Sequence, residues 1–382
     1  MKALLMKFKQ SYLQIVLYLF VNVLFILKYT SRTEIPAVEI AGIYIVLIAE
    51  IFYLYHRFFD RVSAHVFKYL SIALLSFAVL GIIIALVYVD PYTIRVDRWS
   101  AVSFFLEALF SGNYPYAVHT HVSETNFPSP FPIWHIINIP FYLLGDVGIG
   151  LVFFIVVTFV AVQFFFSSYH KTFFFLLLLF LSPAYWWEVV VRSDSLSNAF
   201  LVFIFILWYS QKKISIEKSF ILTIFCCGLI TSTRLSAILP VALFLFATYT
   251  KLNWTKKLIF PAAILGLVVL TFLPFVLWTV NDNWVFFSRN PFMSQTSVGN
   301  PILLMGMIAL GIVFAMKWKN MTDFFNSTAV FIFLFILVSQ ISLMLTRGIS
   351  DSLFTDSTYD ISYFTLFLPY SIMALAAKTT DD

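Results

Sequence analysis

Charged residues are scarce in this sequence: Asp, Glu, Lys and Arg make up only 11% of its 382 residues. Soluble domains carry about 25% charged residues. Hydrophobic residues reach 61%, and phenylalanine alone occurs 46 times. So little charge and so much apolar surface exclude a water-soluble enzyme, a disordered protein and a nucleic-acid-binding protein. The composition indicates a polytopic membrane protein.

Cysteine is also scarce, and the histidines form no metal-ligand pattern. The two cysteines, Cys226 and Cys227, are adjacent within an apolar run, so they give neither a disulfide framework nor a metal spacing. His119 and His121 lie two residues apart, and no carboxylate or cysteine stands at a spacing that would complete a zinc site. We therefore expect no metal site and no required cofactor, although a divalent ion is compatible with the sequence.

Long apolar runs, by contrast, fill most of the chain. A helix needs roughly 20 apolar residues to cross a bilayer. Runs bounded by charged residues therefore predict an all-α polytopic membrane protein of about twelve spans. They lie near residues 12–28, 39–56, 69–89, 147–168, 172–187, 196–209, 219–232, 235–249, 258–280, 301–316, 325–345 and 361–377. The stretch 132–145 is too short and too interrupted by proline to span, and we interpret it as re-entrant or interfacial.

The orientation follows from the basic residues, because cytoplasmic loops retain Lys and Arg. With the N-terminus inside, 16 of the 24 basic residues lie in cytoplasmic loops. Fourteen of the 15 lysines lie inside, whereas seven of the nine arginines lie outside. We therefore expect a multi-pass protein of the plasma membrane with both termini in the cytoplasm. This topology explains why the lysines lie inside but not why most arginines lie outside.

The outer face also holds 13 of the 19 acidic residues. Ionisable groups are costly in and near a membrane, so their clustering on one face predicts a functional site there. The longest hydrophilic stretch is an outer loop over residues 90–131. We therefore expect an active site that faces outward and includes this loop.

Within the loop, residues 97–110 have helical spacing, which predicts an interfacial helix. Its apolar stripe consists of Trp99, Val102, Phe105, Leu106 and Leu109. Asp97 lies at the N-terminus, where the helix dipole favours an ionised carboxylate. Such a carboxylate can take a proton from an attacking sugar hydroxyl, so Asp97 is the candidate general base and Asp90 the second choice. The simpler alternative is that Asp97 only caps the helix.

Several short motifs follow in order on the predicted outer face. Gly112, Tyr114 and Pro115 form a turn after the helix, and a proline-rich stretch covers residues 127–135. The later motifs are Arg192-Ser193-Asp194, the aromatic stretch 286–292 and the stretch 359–369. Together with Asp97 and the Trp99–Ala101 pair, this arrangement resembles the GT-C superfamily of multi-pass glycosyltransferases.

The resemblance implies an inverting glycosyltransferase that takes a sugar from a polyprenyl-phosphate donor. The acceptor would be a lipid-linked glycan, a glycolipid or a protein on the outer or periplasmic face. The resemblance implies a catalytic transmembrane domain over residues 69–377, with 1–68 as an additional N-terminal transmembrane hairpin. Arg98 stands where the superfamily has its second acidic residue, so a metal-binding acid pair is not expected there.

The outer arginines fit a phosphate-containing donor, because Arg grips phosphate with two donors whereas Lys offers a point charge. We expect Arg192, Arg234 and Arg289 to bind the donor phosphate. Each also has an ordinary explanation: Glu188 and Arg192 are spaced to pair on a helix face, and Arg234 separates two apolar runs. Further substrate contacts are expected from Arg98, His119, Asp194, Tyr359 and Asp360.

Two other functions compete with this one. An O-antigen-type polymerase or ligase also combines about twelve spans with outer arginines, but usually relies on a large late loop. A transporter or lipid flippase would place polar groups in the middle of spans, often on broken helices. Only Glu50, Gln163 and Gln340 occupy such positions in the sequence.

Overall fold

The structure is a computed structural model that describes residues 2–58, 61–279, 285–296, 301–355 and 360–378. All regular secondary structure within these ranges is helical, which confirms the all-α class. In chain order the α-helices are α1 Lys2–Thr30, α2 Ala37–Phe58, α3 Ala64–Tyr88, α4 Arg98–Phe110, α5 Pro132–Leu143, α6 Ile149–Phe166, α7 Tyr169–Phe180, α8 Pro183–Val190, α9 Asp194–Gln211, α10 Phe220–Thr231, α11 Ile238–Tyr249, α12 Trp254–Trp278, α13 Val285–Ser288, α14 Pro291–Thr296, α15 Pro301–Lys317, α16 Met321–Arg347, α17 Ile349–Leu353 and α18 Leu368–Ala377. Short 3₁₀ helices cover Pro91–Thr93, Pro115–Ala117, Leu235–Ala237 and Ile361–Phe367.

Every predicted span falls on helix, but not every helix is long enough to cross a bilayer. Six helices of the described chain are long and apolar enough: those within α1, α2, α3, α6, α12 and α16. The bent pair α7–α8 adds a seventh if it counts as one span. Four other apolar helical segments have only 10–17 residues. These helices are consistent with a helical membrane protein, whereas twelve spans stay a prediction.

The segment predicted as one span over 172–187 is broken. Helices α7 and α8 meet at an angle of 65°, and Pro183 begins the second helix. Asn22 of α1 satisfies the polar groups at this break: its side-chain oxygen accepts hydrogen bonds from the Ser182 hydroxyl (2.5 Å) and the Ala184 amide (3.2 Å). A break in an apolar environment needs such partners, because no water is present to replace the lost helical bonds.

By its internal contacts the chain divides into two compact units. The first comprises Met1–Gly81, Thr158–Glu188 and Pro301–Asp382. In it α1 packs against α2, α16 and α18, and α18 also packs against α7. Residues 1–68 thus pack together with later helices of the same unit, and their expected status as an addition to a catalytic domain stays a prediction.

The second unit comprises Ile82–Val157 and Val189–Asn300, and contains the whole loop 90–131. The helix predicted over 97–110 is confirmed as α4, with Val102, Phe105 and Leu106 buried. This apolar face packs against α5, where the Phe105 ring stacks on His135 with ring centroids 3.5 Å apart. The stripe is therefore covered by protein. Helix α5 has 12 residues and contains Pro140, in agreement with the short, non-spanning segment expected there.

Candidate active site in the second unit

Asp97 stands immediately before the first residue of α4, as expected, but its side chain does not cap the helix. The carboxylate instead accepts a hydrogen bond from the Asn126 side-chain amide, at 3.2 Å from Nδ2 to Oδ2. Asp97 is only partly buried. The simple capping explanation therefore does not account for this carboxylate.

The surroundings of Asp97 favour a stronger base than an ordinary carboxylate. Burial raises its pKa above the usual value, and the negative charge of Asp194 raises it further. The positive charges of Arg98 and Arg234 act in the opposite direction without cancelling the rise. A carboxylate whose pKa moves toward neutrality takes up a proton more readily, which is what general base catalysis requires.

Asp194 and Arg234 form a buried ion pair beside Asp97. Asp194 lies in the first turn of α9, and Arg234 precedes the 3₁₀ helix Leu235–Ala237. Arg234 donates to Asp194 Oδ2 from both Nε, at 2.9 Å, and Nη2. Within the described chain the second carboxylate oxygen, Oδ1, is buried and has no hydrogen-bond partner. The ion pair therefore leaves Oδ1 of Asp194 available to accept a hydrogen bond.

Arg98 connects α4 to the N-terminus of α9. Its Nη1 donates a hydrogen bond to the Ser193 hydroxyl oxygen at 2.9 Å. That same oxygen caps α9 by accepting from the Leu196 amide at 3.3 Å. Four expected site residues, Asp97, Arg98, Asp194 and Arg234, are thus brought into one cluster, linked by hydrogen bonds or by their effect on the Asp97 carboxyl.

Arg192, which was expected to bind phosphate, is engaged with protein groups. Its Nη1 lies 2.9 Å from the carboxylate of Asp146, and its Nη2 donates to the carbonyls of Leu86 and Val89, each at 2.8 Å. Asp146 also accepts from the Trp99 indole at 3.2 Å. Arg192 itself has a left-handed backbone, with φ of 50°, at the turn into α9. These contacts join the C-terminal end of α3 to the turn that precedes α9.

Arg289 and His119 both contact the ring of Phe127. The Arg289 guanidinium carbon lies 4.7 Å from the centroid of the Phe127 ring, and the His119 ring centroid lies 4.8 Å from it. Arg289 also donates to the Ala117 carbonyl at 3.3 Å. Phe127 directly follows Asn126, so Arg289, which comes after α13, contacts the same loop that holds Asp97.

The remaining predicted residues do not join the cluster. Asp90 is exposed and accepts from the Tyr92 amide at 3.0 Å, so it caps the turn Pro91–Thr93. Asp360 belongs to the first unit, where it pairs with Lys28 at 2.8 Å. Tyr359 lies outside the described residues.

Sequence reasoning missed three residues that shape this site: Asn126, Asp146 and Ser193. Ser193 had a local signal, because a serine before Asp and an apolar run is typical of a helix N-cap. Asn126 and Asp146 had none, since each acts on a residue at least 29 positions away in the chain. In the described part of the chain no group of three His, Cys, Asp or Glu side chains is arranged to hold a metal ion.

A large apolar groove of about 700 Å³ lies in the same unit. Helices α10, α11 and α12 form its walls, and Phe131, Phe286 and Phe292 line it as well. Leu235, the residue after Arg234, is also part of the lining. The groove therefore extends to the residue that directly follows Arg234 in the chain.

No family model, curated protein or solved structure matches this chain.

Proposed function

We propose that this chain is an integral membrane glycosyltransferase that moves a sugar from a polyprenyl-phosphate donor to an acceptor hydroxyl on the outer face, with inversion. One observation carries the proposal: a single unit holds both the Asp97 cluster and an apolar groove of about 700 Å³, and Leu235 of the groove directly follows Arg234 of the cluster. Such a pairing suits a substrate that has a polar, reactive head and a long hydrocarbon tail. The O-antigen-type polymerase or ligase would use the same kind of donor.

In the proposed reaction, the acceptor oxygen attacks the anomeric carbon while Asp97 removes the hydroxyl proton. A carbon–oxygen bond forms to the acceptor, and the bond from the sugar to the donor phosphate breaks. The phosphate leaves with the electron pair and carries the negative charge, which nearby cations stabilise. Arg289 is the better candidate for this task, because Arg234 already donates twice to Asp194. Arg192 acts as a structural clamp.

The orientation with both termini in the cytoplasm is part of the proposal. The lysine distribution gives its direction, and contacts inside the first unit support the grouping of segments by face, because they join residues that the topology assigns to the same face. Lys28 pairs with Asp360, both expected outside. Lys171 donates to the Ala377 carbonyl, both expected inside. A wrong assignment of one of these segments would separate such partners by the thickness of a membrane.

The decisive experiment is sugar transfer by the purified protein in lipid nanodiscs supplied with a polyprenyl-phosphate sugar. We expect Asp97→Asn to lower the transfer rate by about two orders of magnitude or more, because a general base contributes that much. Asp90→Asn is the matched control, since Asp90 caps an exposed turn away from the Asp97 cluster, and it should transfer at close to the wild-type rate. Transfer at the wild-type rate by the Asp97 variant would remove that residue from the mechanism.

A transporter is the second candidate, because one observation favours it. The break between α7 and α8 resembles the discontinuous helices on which transporters build binding sites. The two functions differ in a measurable product. Movement of a lipid-linked sugar across vesicle membranes without any new glycosidic bond would favour the transporter, whereas a new bond that depends on Asp97 would favour the transferase.

A further inference from the structure

We propose that Asn126 is a positioning residue for Asp97: its side-chain amide holds Oδ2 and leaves Oδ1 to receive the acceptor proton. This inference rests on the proposed function and adds a residue that no sequence motif indicates. Its first support is the contact itself, a hydrogen bond of 3.2 Å from Asn126 Nδ2 to Asp97 Oδ2. The carboxylate makes no helix-capping bond, and the other hydrogen bond that favours its ionised form comes from the backbone of Asp97 itself.

The backbone around Asn126 is fastened on both sides. Its carbonyl accepts a hydrogen bond from the Thr120 amide at 2.9 Å, and its own amide donates to the Ser123 carbonyl at 3.1 Å. The loop is also tied to α4, because a ring nitrogen of His121 lies 2.6 Å from the Ser100 hydroxyl. A side chain on such a fixed loop holds its partner in one orientation, which general base catalysis needs.

The charge of the side chain that donates to Asp97 matters as much as its position. Arg98 from α4, Asp194 from α9 and Arg234 before Leu235 are the charged groups that act on Asp97, and His121 faces the same turn through Ser100. A lysine or arginine in place of Asn126 would add a further positive charge and weaken the base. A neutral amide orients the carboxylate at a smaller cost in basicity.

Two measurements test the inference, and the first does not need transfer activity. The carbonyl infrared band of the protonated Asp97 carboxyl, identified by its absence in Asp97→Asn, is titrated in wild type and in Asn126→Ala. A hydrogen bond to a charged acceptor shifts a pKa by about one to two units. We expect the midpoint to move up by about one unit in Asn126→Ala, because the amide favours the ionised form.

The second measurement is the pH profile of sugar transfer. Activity requires ionised Asp97, so the midpoint of the acidic limb in Asn126→Ala should move to higher pH by the same amount. In Asn126→Gln, which keeps the amide, this midpoint should lie between those of Asn126→Ala and wild type. The matched control is Asn113→Ala, an exposed asparagine of the same loop, which should leave both midpoints in place.

An infrared midpoint unchanged by Asn126→Ala would overturn the inference, as would an equal shift in Asn113→Ala. An infrared shift without a shift of the acidic limb would also overturn it, since the bond would then not act on the base. If Asn126→Ala does not fold, the same comparisons are made with Asn126→Ser. A wild-type protein that shows the Asp97 titration but transfers no sugar contradicts the proposed function and not the hydrogen bond.

Discussion

At the scale of single residues, the candidate site contains charged side chains whose burial lowers the free energy of unfolding. Asp194 and Arg234 are both buried, and removal of one partner from such a pair strands the other charge. Asp97 keeps a carboxylate in surroundings that disfavour its ionised form. Both arrangements cost folding free energy, which favours the proposal that these residues serve a function.

The raised pKa of Asp97 has a consequence for stability that can be measured. Because the folded-state pKa lies above the unfolded one, protonation of Asp97 favours the fold. This contribution is full below the unfolded pKa of about 3.9 and is lost as pH rises through the folded value. We therefore expect Asp97→Asn to have a higher Tm than wild type at pH 7.

The advantage of Asp97→Asn should shrink as the pH falls toward 4, because wild-type Asp97 then becomes neutral as well. Thermal unfolding in detergent at several pH values measures both trends. Asp90→Asn serves as the control, because Asp90 is exposed. A variant at position 97 that is less stable than wild type at pH 7 would contradict the predicted cost of the ionised carboxylate.

Gly148 lies in close packing beside the ion pair of Arg192 and Asp146. A Cβ added there would lie 2.5 Å from a methyl carbon of Leu86 and 3.1 Å from Arg192 Cγ. We expect Gly148→Ala to lower the free energy of unfolding by about 1–3 kcal/mol, as overpacking does in other cores. Denaturant or thermal unfolding measures this effect. Gly112→Ala is no suitable control because of its positive φ, whereas Gly42, with open space around it, is suitable.

At the scale of helices, the N-terminus of α9 organises the cluster. Ser193 caps this helix and also accepts from Arg98, while Asp194 in the first turn holds Arg234. A carboxylate in the first turn of a helix is stabilised by the helix dipole. One helix end thus positions a cap, an acid and two arginines.

The Ser193 hydroxyl therefore supports both the helix and the site. We expect Ser193→Ala to lower the free energy of unfolding by about 1 kcal/mol for the lost cap, and more for the lost acceptor of Arg98. Ser195→Ala, two residues further along α9, is the matched control. Equal losses in both variants, measured by unfolding in detergent, would show that the cap of Ser193 has no special weight.

The sequence predicted the positions of the helices but not the side-chain contacts between residues far apart in the chain. Apolar runs and helical spacing located the helices, including α4 and the short α5, because these signals are local. The break at Pro183 inside the span expected over 172–187 was missed, although proline is a local signal for it. The Asn126–Asp97 and Arg192–Asp146 contacts had no local signal, because tertiary packing alone brings these residues together.

At the scale of the whole molecule, the charge distribution predicts an orientation that labelling can test. Glu124 and Lys218 are both exposed, and the topology places the first outside and the second inside. In a background without Cys226 and Cys227, we expect a membrane-impermeant maleimide added to intact cells to label Glu124→Cys and not Lys218→Cys. In permeabilised cells both variants should be labelled. Labelling of Lys218→Cys alone in intact cells would reverse the orientation.

The composition of the first unit has a consequence for how the protein is made. This unit joins α1 to α16 and α18, and the ion pair between Lys28 and Asp360 connects residues 332 positions apart. The residues of the second unit all emerge from the ribosome before residue 301. The candidate active site can therefore form while synthesis continues, whereas Gln14 of α1, whose side-chain amide donates to the Asn326 carbonyl of α16, is made 312 residues before its partner. During that interval the Gln14 amide lacks the acceptor that it has in the folded chain, so the first unit reaches its final contacts only after α16 has been made.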